Sequence, residues 1–179
     1  LPAGAPVVRV MPNAPMLVGG AVSALAPGRF ATAEHLKEVS ALFDAVGGVL
    51  TVDESQLDAV TAVSGSGPAY FFLMVEALVD AAVAAGLPRS VATDLVTQTM
   101  AGSAAMLLEQ LDQTESNGSA QMGSMIDTSA AQLRATVTSP GGTTAAGLRE
   151  LERGGLRSAV ASAVEAAKRR SEQLGITSE

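Results

Sequence analysis

The amino-acid sequence predicts an α/β segment followed by a longer all-α segment, and three observations support this fold class. Up to residue 60, short β-branched runs closed by Pro, Asn or Gly alternate with one helical stripe. After Glu54 the apolar spacing is helical throughout. Hydrophobic residues make up 47% of the 179 residues and aromatics only 3%, so the core consists mainly of aliphatic side chains. We therefore predict an α/β domain at residues 1–60 and an all-α domain at residues 61–179.

Three strands and one helix are predicted in the α/β part. The strands cover residues 7–11, 20–26 and 49–52, and each is bounded by a Pro or Gly turn. The helix begins at residue 32 or 33 and ends at residue 46, before a pair of glycines. This order is typical of the last part of a nucleotide-binding sheet rather than of a complete domain, and its open edges require a cover.

The first half of the all-α part is predicted to contain a short helix and a long apolar one. The short helix covers residues 54–63 and is broken at residues 64–67, Ser-Gly-Ser-Gly. The long helix runs from Pro68, a favourable first position, to Ala85, with Gly86 as its C′ residue. Its surface is apolar on nearly all sides, which is typical of a buried helix. A small monomer could not cover such a helix.

The remaining sequence predicts four helices and one insertion. The helices run from about Pro88 to residue 111 and over residues 130–137, 143–153 and 156–174. Residues 112–129 are polar and rich in Gly and Ser, and we predict that they form a flexible insertion. An intertwined homodimer is expected through the helices on both sides of that insertion.

Composition excludes several classes of function. The chain has no Cys, so disulfides, thiolate metal sites and Cys nucleophiles are excluded. His35 is the single His and is expected on a helix surface, so we predict no metal site. The net charge of −7 is spread over both halves without a basic face, which argues against nucleic-acid binding.

The sequence also carries information on targeting. The uncharged stretch between Arg9 and Arg29 is interrupted by three Pro residues and a Gly pair, so we expect no membrane span. A signal-peptide pattern is not visible, and we expect a cytoplasmic protein. The chain begins at Leu1 without an initiator Met, and we interpret it as a fragment or a processed product.

The most informative motif is the segment at residues 139–144, Ser-Pro-Gly-Gly-Thr-Thr. Its two glycines allow the backbone to approach a ligand closely. The two threonines open a predicted helix, whose first N–H groups are unpaired and attract an anion. Because the loop lacks the Lys of a phosphate-binding P-loop, a carboxylate is favoured over a triphosphate. A simple capped turn between two helices remains the alternative.

Two other segments carry weaker signals. The run at residues 64–68, Ser-Gly-Ser-Gly-Pro, is interpreted as a helix start whose Ser hydroxyls face a cleft, with a plain N-cap as the alternative. It is not a dinucleotide fingerprint, because no buried strand precedes it. The run at residues 11–15, Met-Pro-Asn-Ala-Pro, follows a strand at the edge where α/β sheets bind ligands. By itself it could equally be a Pro-stiffened loop.

Three motifs, in this order, together resemble the pyrroline-5-carboxylate reductase family: MPNAP from Met11, VSGSGPAYFF from Val63 and VTSPGGTTAAGLRELERGG from Val137. The last is the most specific, and the resemblance covers nearly the whole chain except residues 112–129. It implies a Rossmann-type domain that binds NADPH or NADH, followed by a helical dimerisation domain. The chain matches the end of the first domain and all of the second. No counterpart of the glycine-rich pyrophosphate loop is present, so the fragment is expected to be inactive alone.

The resemblance also implies roles for single residues in the reduction of 1-pyrroline-5-carboxylate to L-proline. Thr144 would be the catalytic residue, whose hydroxyl approaches the imine nitrogen and contacts the substrate. Other substrate-binding residues would hold the carboxylate or line the cleft floor: Ser139, Gly141, Gly142 and Thr143 for the carboxylate, and Ser66 for the floor. Pro12 and Asn13 would lie near the nicotinamide end of the cofactor. The partners implied are the imino carboxylate and a second copy of the chain, with a ring of dimers left open.

Two rival functions are a different kind of reductase and a dimerisation module without activity. A reductase of the β-hydroxyacid dehydrogenase kind would need a Lys on a cleft-facing helix. Here Lys occurs only at positions 37 and 168, both interpreted as exposed. The second rival is a helical dimerisation module without activity, and a cofactor-binding titration would distinguish it from a reductase.

Overall fold

The computed structural model describes residues 2–116 and 129–176. They form two compact units. One contains the described residues of 1–72 and 158–179, and the other contains those of 73–157. This division does not test the predicted domain boundary near residue 60, which stays a prediction. The fold class is confirmed: a small α/β segment is followed by helices.

The first unit is built on a three-stranded sheet with the order β1-β2-β3. Its strands are β1 Val8–Met11, β2 Ala21–Pro27 and β3 Gly47–Thr51. β1 pairs antiparallel with the central strand β2, which pairs parallel with β3. The three predicted strands are confirmed, but β3 begins at Gly47, earlier than predicted. Gly47 has a φ of 148° and packs so closely on Ala21 that no side chain would fit.

Helix α1, Ala33–Asp44, connects β2 to β3. Its N-terminus is closed by a reciprocal capping box between Thr32 and His35. The Thr32 N–H donates to His35 Nδ1 at 3.1 Å, and the His35 N–H donates to Thr32 Oγ1 at 3.4 Å. The single histidine of the chain therefore helps to start a helix.

The core of the first unit lies between the sheet and a short helix. After a 3-10 helix at Glu54–Gln56, helix α2 covers Leu57–Val60. Leu57 packs with Ala24 and Ala26 of β2, and Met11, Val52 and Val60 surround this cluster. The small side chains on β2 let α2 approach the strand closely.

The chain then passes through a π turn at Thr61–Gly65 and a bend at Ser66 into helix α3, Gly67–Ala84. The predicted helix break at residues 64–67 is therefore wrong in extent, because the backbone stays helical through Gly65. The reason is a wider hydrogen bond, in which the Ser66 N–H donates to Thr61 O at 2.9 Å. At the other end of α3, Gly86 has a φ of 104° and forms the predicted C′ residue.

Four further helices complete the described residues: α4 Arg89–Ser116, α5 Ser129–Thr136, α6 Thr143–Arg153 and α7 Leu156–Ile176. The predicted start of the insertion at residue 112 is wrong, since α4 continues to Ser116. Gln113 and Glu115 are good helix formers that prolong the helix without an apolar stripe. Ser129 likewise belongs to α5. The rest of the predicted insertion, residues 117–128, lies outside the described residues.

Helix α3 is apolar and largely uncovered in the single chain. Phe71 is 59% exposed, and Phe72 and Leu73 are each 66% exposed. By length and composition alone, the helical stretch Glu54–Ala84 is apolar enough to cross a membrane, with a mean hydropathy of 1.5. One such helix is weak evidence for a membrane span, because core helices of soluble proteins meet the same criterion. The expectation that the chain has no span stays a prediction.

Candidate functional site

The loop at residues 139–142 is a tight turn set by its own sequence. The Gly142 N–H donates to Ser139 O at 3.1 Å, and Gly141 has a φ of 72°. Pro140 and Gly141 thus occupy the two central positions in the pattern of a type II turn, which needs a positive φ at the second. The predicted turn is confirmed. Since Gly142 uses its N–H inside the turn, that group is not available to a ligand of the loop.

Gly142 is also confined by the side chain of Ser139. A Cβ on Gly142 would clash with Ser139 Oγ and would lie 3.2 Å from Ser139 O. The glycine is therefore required by the space that the serine occupies. Ser139 itself is exposed at the surface of the loop.

Helix α6 begins directly after this turn. Gly142 is its N-cap with extended backbone, at φ −76° and ψ 173°, and has no side chain to cap the first turn. Among the described residues, no side chain caps the N–H groups of Thr143 and Thr144, and no acidic residue lies in the first turn of α6. Both threonines are exposed. The helix start therefore presents N–H donors, two hydroxyls and the positive end of a helix dipole to an anion.

A second group of predicted site residues lies in the first unit, around the π turn. Asn13 follows β1, and its Nδ2 donates to Ser64 O at 3.3 Å. Its Oδ1 accepts the Val22 N–H at 3.0 Å. The side chain therefore joins the end of β1, the start of β2 and the π turn. Pro12, beside it, is half-buried.

Ser66 closes the π turn and is half-buried. Its backbone is fully used, because its N–H bonds to Thr61 O and its carbonyl accepts the Ala69 N–H at 3.0 Å. Within the described part of the chain its hydroxyl makes no hydrogen bond. The neighbouring Ser64 Oγ is buried without a partner. Two serine hydroxyls of one turn thus keep their hydrogen-bonding capacity.

The structure brings some of the predicted site residues together and not others. Pro12, Asn13 and Ser66 are in the first unit, where Asn13 bonds to the turn that carries Ser66. Residues 139–144 are in the second unit.

Sequence reasoning missed the side chains that support the π turn. The Tyr70 hydroxyl donates to Ala62 O at 3.2 Å, and Met11 Cε lies 2.6 Å from the point where a Cβ of Gly65 would be. Gly65 therefore allows the end of β1 to pack against the turn. One signal was present in the sequence: Pro68 removes a helical donor, so a carbonyl four residues earlier needs another partner.

Charge and metal chemistry add little at either group. Among the described residues, no set of three His, Asp or Glu side chains could hold a metal ion. Among the described residues, the pKa of Lys168 on α7 is raised by its hydrogen bond to Glu172, with added attraction from Glu172 and Asp58. The features of the α6 start that favour an anion are its backbone N–H groups and helix dipole.

The comparisons with known proteins agree on one family. The family model described as pyrroline-5-carboxylate reductase dimerisation matches residues 54–174. The chain is 72% identical to the pyrroline-5-carboxylate reductase of Mycobacterium tuberculosis over 180 residues, which is all of this chain and 61% of that enzyme.

Two solved structures are similar in fold. The pyrroline-5-carboxylate reductase of Coxiella burnetii has a TM-score of 0.84 and 36% identity, covering 97% of this chain and 59% of its own. The Plasmodium falciparum enzyme, solved with NADP bound, has a TM-score of 0.79 and 35% identity, covering 97% of this chain and 63% of its own. The chain therefore spans about three fifths of the length of the relatives that it matches.

Proposed function

The chain belongs to the pyrroline-5-carboxylate reductase family, and from this membership we propose that it serves in the reduction of 1-pyrroline-5-carboxylate to L-proline with NADPH or NADH. The match of residues 54–174 to the family model carries the proposal. The identity of 72% to the M. tuberculosis enzyme supports it. Because the chain spans 61% of that enzyme, the activity is proposed for the protein to which these residues contribute.

The substrate carboxylate is assigned to the start of α6. The resemblance implies contacts from Ser139, Gly141, Gly142 and Thr143, and the geometry of the loop supports a different contribution from each. Thr143 and Thr144 offer uncapped N–H groups at the positive end of the helix. Gly141 contributes its positive φ, and Gly142 leaves the space in which Ser139 Oγ lies, so the turn holds that hydroxyl next to the residue that precedes α6. Ser139 adds an exposed hydroxyl.

Thr144 is proposed as the residue whose hydroxyl approaches the imine nitrogen. Hydride transfer to a protonated C=N bond needs positioning and a polar site of low water content more than a strong protein base. A cyclic imine can arrive protonated, so a hydroxyl that orients the nitrogen is sufficient. This chemistry does not require Cys, His or Lys at the reacting atoms.

The nicotinamide end of the cofactor is assigned to Pro12 and Asn13. Both lie just after β1 and beside the start of β2, where Asn13 Oδ1 accepts the Val22 N–H. The polar groups there fit the carboxamide of a nicotinamide ring, because Asn13 keeps one amide hydrogen free of the described chain and Ser64 Oγ is buried without a partner. The bound cofactor would supply the hydride. Ser66 is proposed to line the floor of the same cleft.

We also propose that two copies associate through the apolar helices. The exposed phenylalanines and leucines of α3 support this, since a soluble chain must cover them. The matched family model is itself described as a dimerisation domain. A ring of dimers and a cytoplasmic location are proposed as extensions of the family resemblance.

A titration of the 179-residue chain with L-proline, followed by amide chemical shifts, tests the substrate assignment. We expect saturable shifts at the amides of Thr143, Thr144 and Ala145. Pyrrolidine, which has the ring but no carboxylate, is the matched control and should not move them. Equal shifts with both compounds, or proline-dependent shifts only outside residues 139–145, would contradict the carboxylate assignment.

A further inference from the structure

The backbone carbonyl of Ser64 lies in a helical stretch but lacks its ordinary hydrogen-bond donor. In an α-helix the carbonyl of Ser64 would accept the N–H of residue 68, but Pro68 has none. The next donor along the chain, the Ala69 N–H, bonds to Ser66 O at 3.0 Å instead. A backbone carbonyl in this half-buried position needs a partner from elsewhere.

Asn13 supplies that partner from 51 residues away in the sequence. Its Nδ2 donates to Ser64 O at 3.3 Å while its Oδ1 accepts the Val22 N–H at 3.0 Å. The orientation of the amide is fixed by chemistry, because the backbone N–H needs an oxygen and the carbonyl needs a nitrogen.

Because the Asn13 side chain makes this link, it does not cap the short helix that follows. It is the N-cap of the 3-10 helix Ala14–Val18, with φ −131° and ψ 166°, but it makes no side-chain cap hydrogen bond. Asn is a preferred residue at such positions because its Oδ1 usually accepts an N–H of the first turn. Here the oxygen bonds to β2 instead.

The turn that Asn13 holds is the one that ends at Ser66. Its wide hydrogen bond joins the Ser66 N–H to Thr61 O at 2.9 Å, and the Tyr70 hydroxyl supports Ala62 O. Turns of this kind within α-helices are frequent at functional sites. Side chains therefore support two carbonyls of the turn.

We propose that Asn13 is a positioning residue that replaces the donor missing at Pro68 and so fixes the π turn that presents Ser66 and Ser64. This positioning effect on imine reduction is exerted through Ser64 O, in addition to the proposed place of Asn13 at the nicotinamide end of the cofactor. The kinetic part of this inference rests on the proposed function, whereas the structural part does not.

Asn13→Asp is the sharpest variant for testing this link. Asp keeps an oxygen for the Val22 N–H but turns an oxygen instead of a donor toward Ser64 O. Pro68→Ala restores a backbone N–H that can reach Ser64 O within the helix. If Asn13 acts through Ser64, the effect of Asn13→Asp must therefore shrink in the Pro68→Ala background.

The kinetic test uses a chimera in which this chain replaces the matched 180-residue stretch of the M. tuberculosis relative. We expect Asn13→Asp to lower kcat/KM about tenfold with Pro68 present and less than about threefold with Ala at position 68. Equal losses in both backgrounds, accompanied by equal weakening of NADPH binding, would show that Asn13 acts through its proposed cofactor contact alone and would overturn the positioning role. Unchanged kinetics with a lower Tm would show a purely structural role and would also overturn it.

The second test needs no activity and uses the 179-residue chain itself. Amide hydrogen exchange at Ser66 reports the bond to Thr61 O that closes the π turn. We expect faster exchange in Asn13→Asp and recovery of protection in the double variant with Pro68→Ala. The same exchange rate at Ser66 in the unaltered chain, in each single variant and in the double variant would overturn the positioning role. A chimera that folds without reducing the imine, yet shows the expected exchange pattern, would count against the proposed function alone.

Discussion

Two small features of residues 139–144 decide what the loop can bind. Gly141 permits the turn, and Gly142 leaves the space that Ser139 Oγ fills. As a result Thr143 and Thr144 stand exposed at an uncapped helix start. The loop is therefore shaped by backbone geometry, and the polar side chains that it exposes next to the helix start are hydroxyls.

Thr144→Ala in the chimera is expected to lower turnover with little change in stability. The exposed hydroxyl caps no helix, so its loss should be felt in the transition state, at about 1–3 kcal/mol of activation free energy. Steady-state kinetics and thermal unfolding of one preparation check this expectation. Thr144→Ser keeps the hydroxyl and serves as the control. Wild-type turnover together with a clearly lower Tm would assign the hydroxyl to the fold instead.

Sequence analysis could predict the conformation of residues that interact mainly with their near neighbours in the chain. The Ser139–Gly142 turn follows from Pro and Gly at adjacent positions, and the α6 start follows from the turn. The link from Asn13 to Ser64 could not be placed, because it joins residues 51 positions apart through tertiary structure. The same holds for the Tyr70 hydroxyl, whose acceptor exists only because the turn is wide.

At the scale of elements, strand and helix types were predictable where the periodicity was strong, and errors lie at their ends. α4 continues through polar residues that lack a stripe, because propensity alone can extend a helix that is already formed. The sequence predicts a helix break where the π turn lies, because Gly and Ser residues do not reveal the wider hydrogen bond from the Ser66 N–H to Thr61 O. The contact of α7 with α2 is another tertiary feature: Ser171 Oγ donates to Asp58 Oδ1 at 2.6 Å.

The ion pair between Lys168 and Glu172 on α7 gives a pH-dependent prediction. The hydrogen bond to Glu172, followed by attraction to Glu172 and Asp58, raises the pKa of Lys168 above its ordinary 10.5. A raised pKa in the folded state means that the stabilisation is complete below pH 10.5 and is lost as the pH rises through the folded value. Thermal unfolding at pH 8 and at successive values above 10 should therefore show an alkaline loss that Lys168→Met reduces. The Arg169–Glu165 ion pair on the same helix, whose cation is a guanidinium, provides the control. An identical alkaline profile in Lys168→Met would refute the assignment.

At the scale of the whole molecule, the apolar faces are the dominant feature. Leu73 on α3 is 66% exposed within the family-matched stretch, whereas Leu42 on α1 is 72% exposed outside it. The two leucines are therefore similar in exposure and differ in expected role. The proposed dimer would cover α3 with a second chain, whereas isolated surface leucines such as Leu42 are ordinary.

Leu73→Glu should weaken self-association about 100-fold or more, because it places a charge in a desolvated interface. Leu42→Glu should leave it unchanged. Sedimentation equilibrium at micromolar concentration measures both, with a dimer expected for the unaltered chain. A stable monomer, or a chain that sediments with lipid vesicles in place of dimerising, would contradict the proposed interface.

The most direct measurement of the central claim is the turnover of the unaltered chimera. In it, this chain supplies the α6 start and the apolar helices. Because the chain covers 61% of the M. tuberculosis enzyme, that enzyme supplies the other 39% of the length. We predict that 1-pyrroline-5-carboxylate is converted to L-proline with one NADPH oxidised per proline formed. The rate should be within about tenfold of the intact relative. A folded, dimeric chimera that binds NADPH but forms no proline, while the intact relative does, would contradict the assignment of this chain to imine reduction.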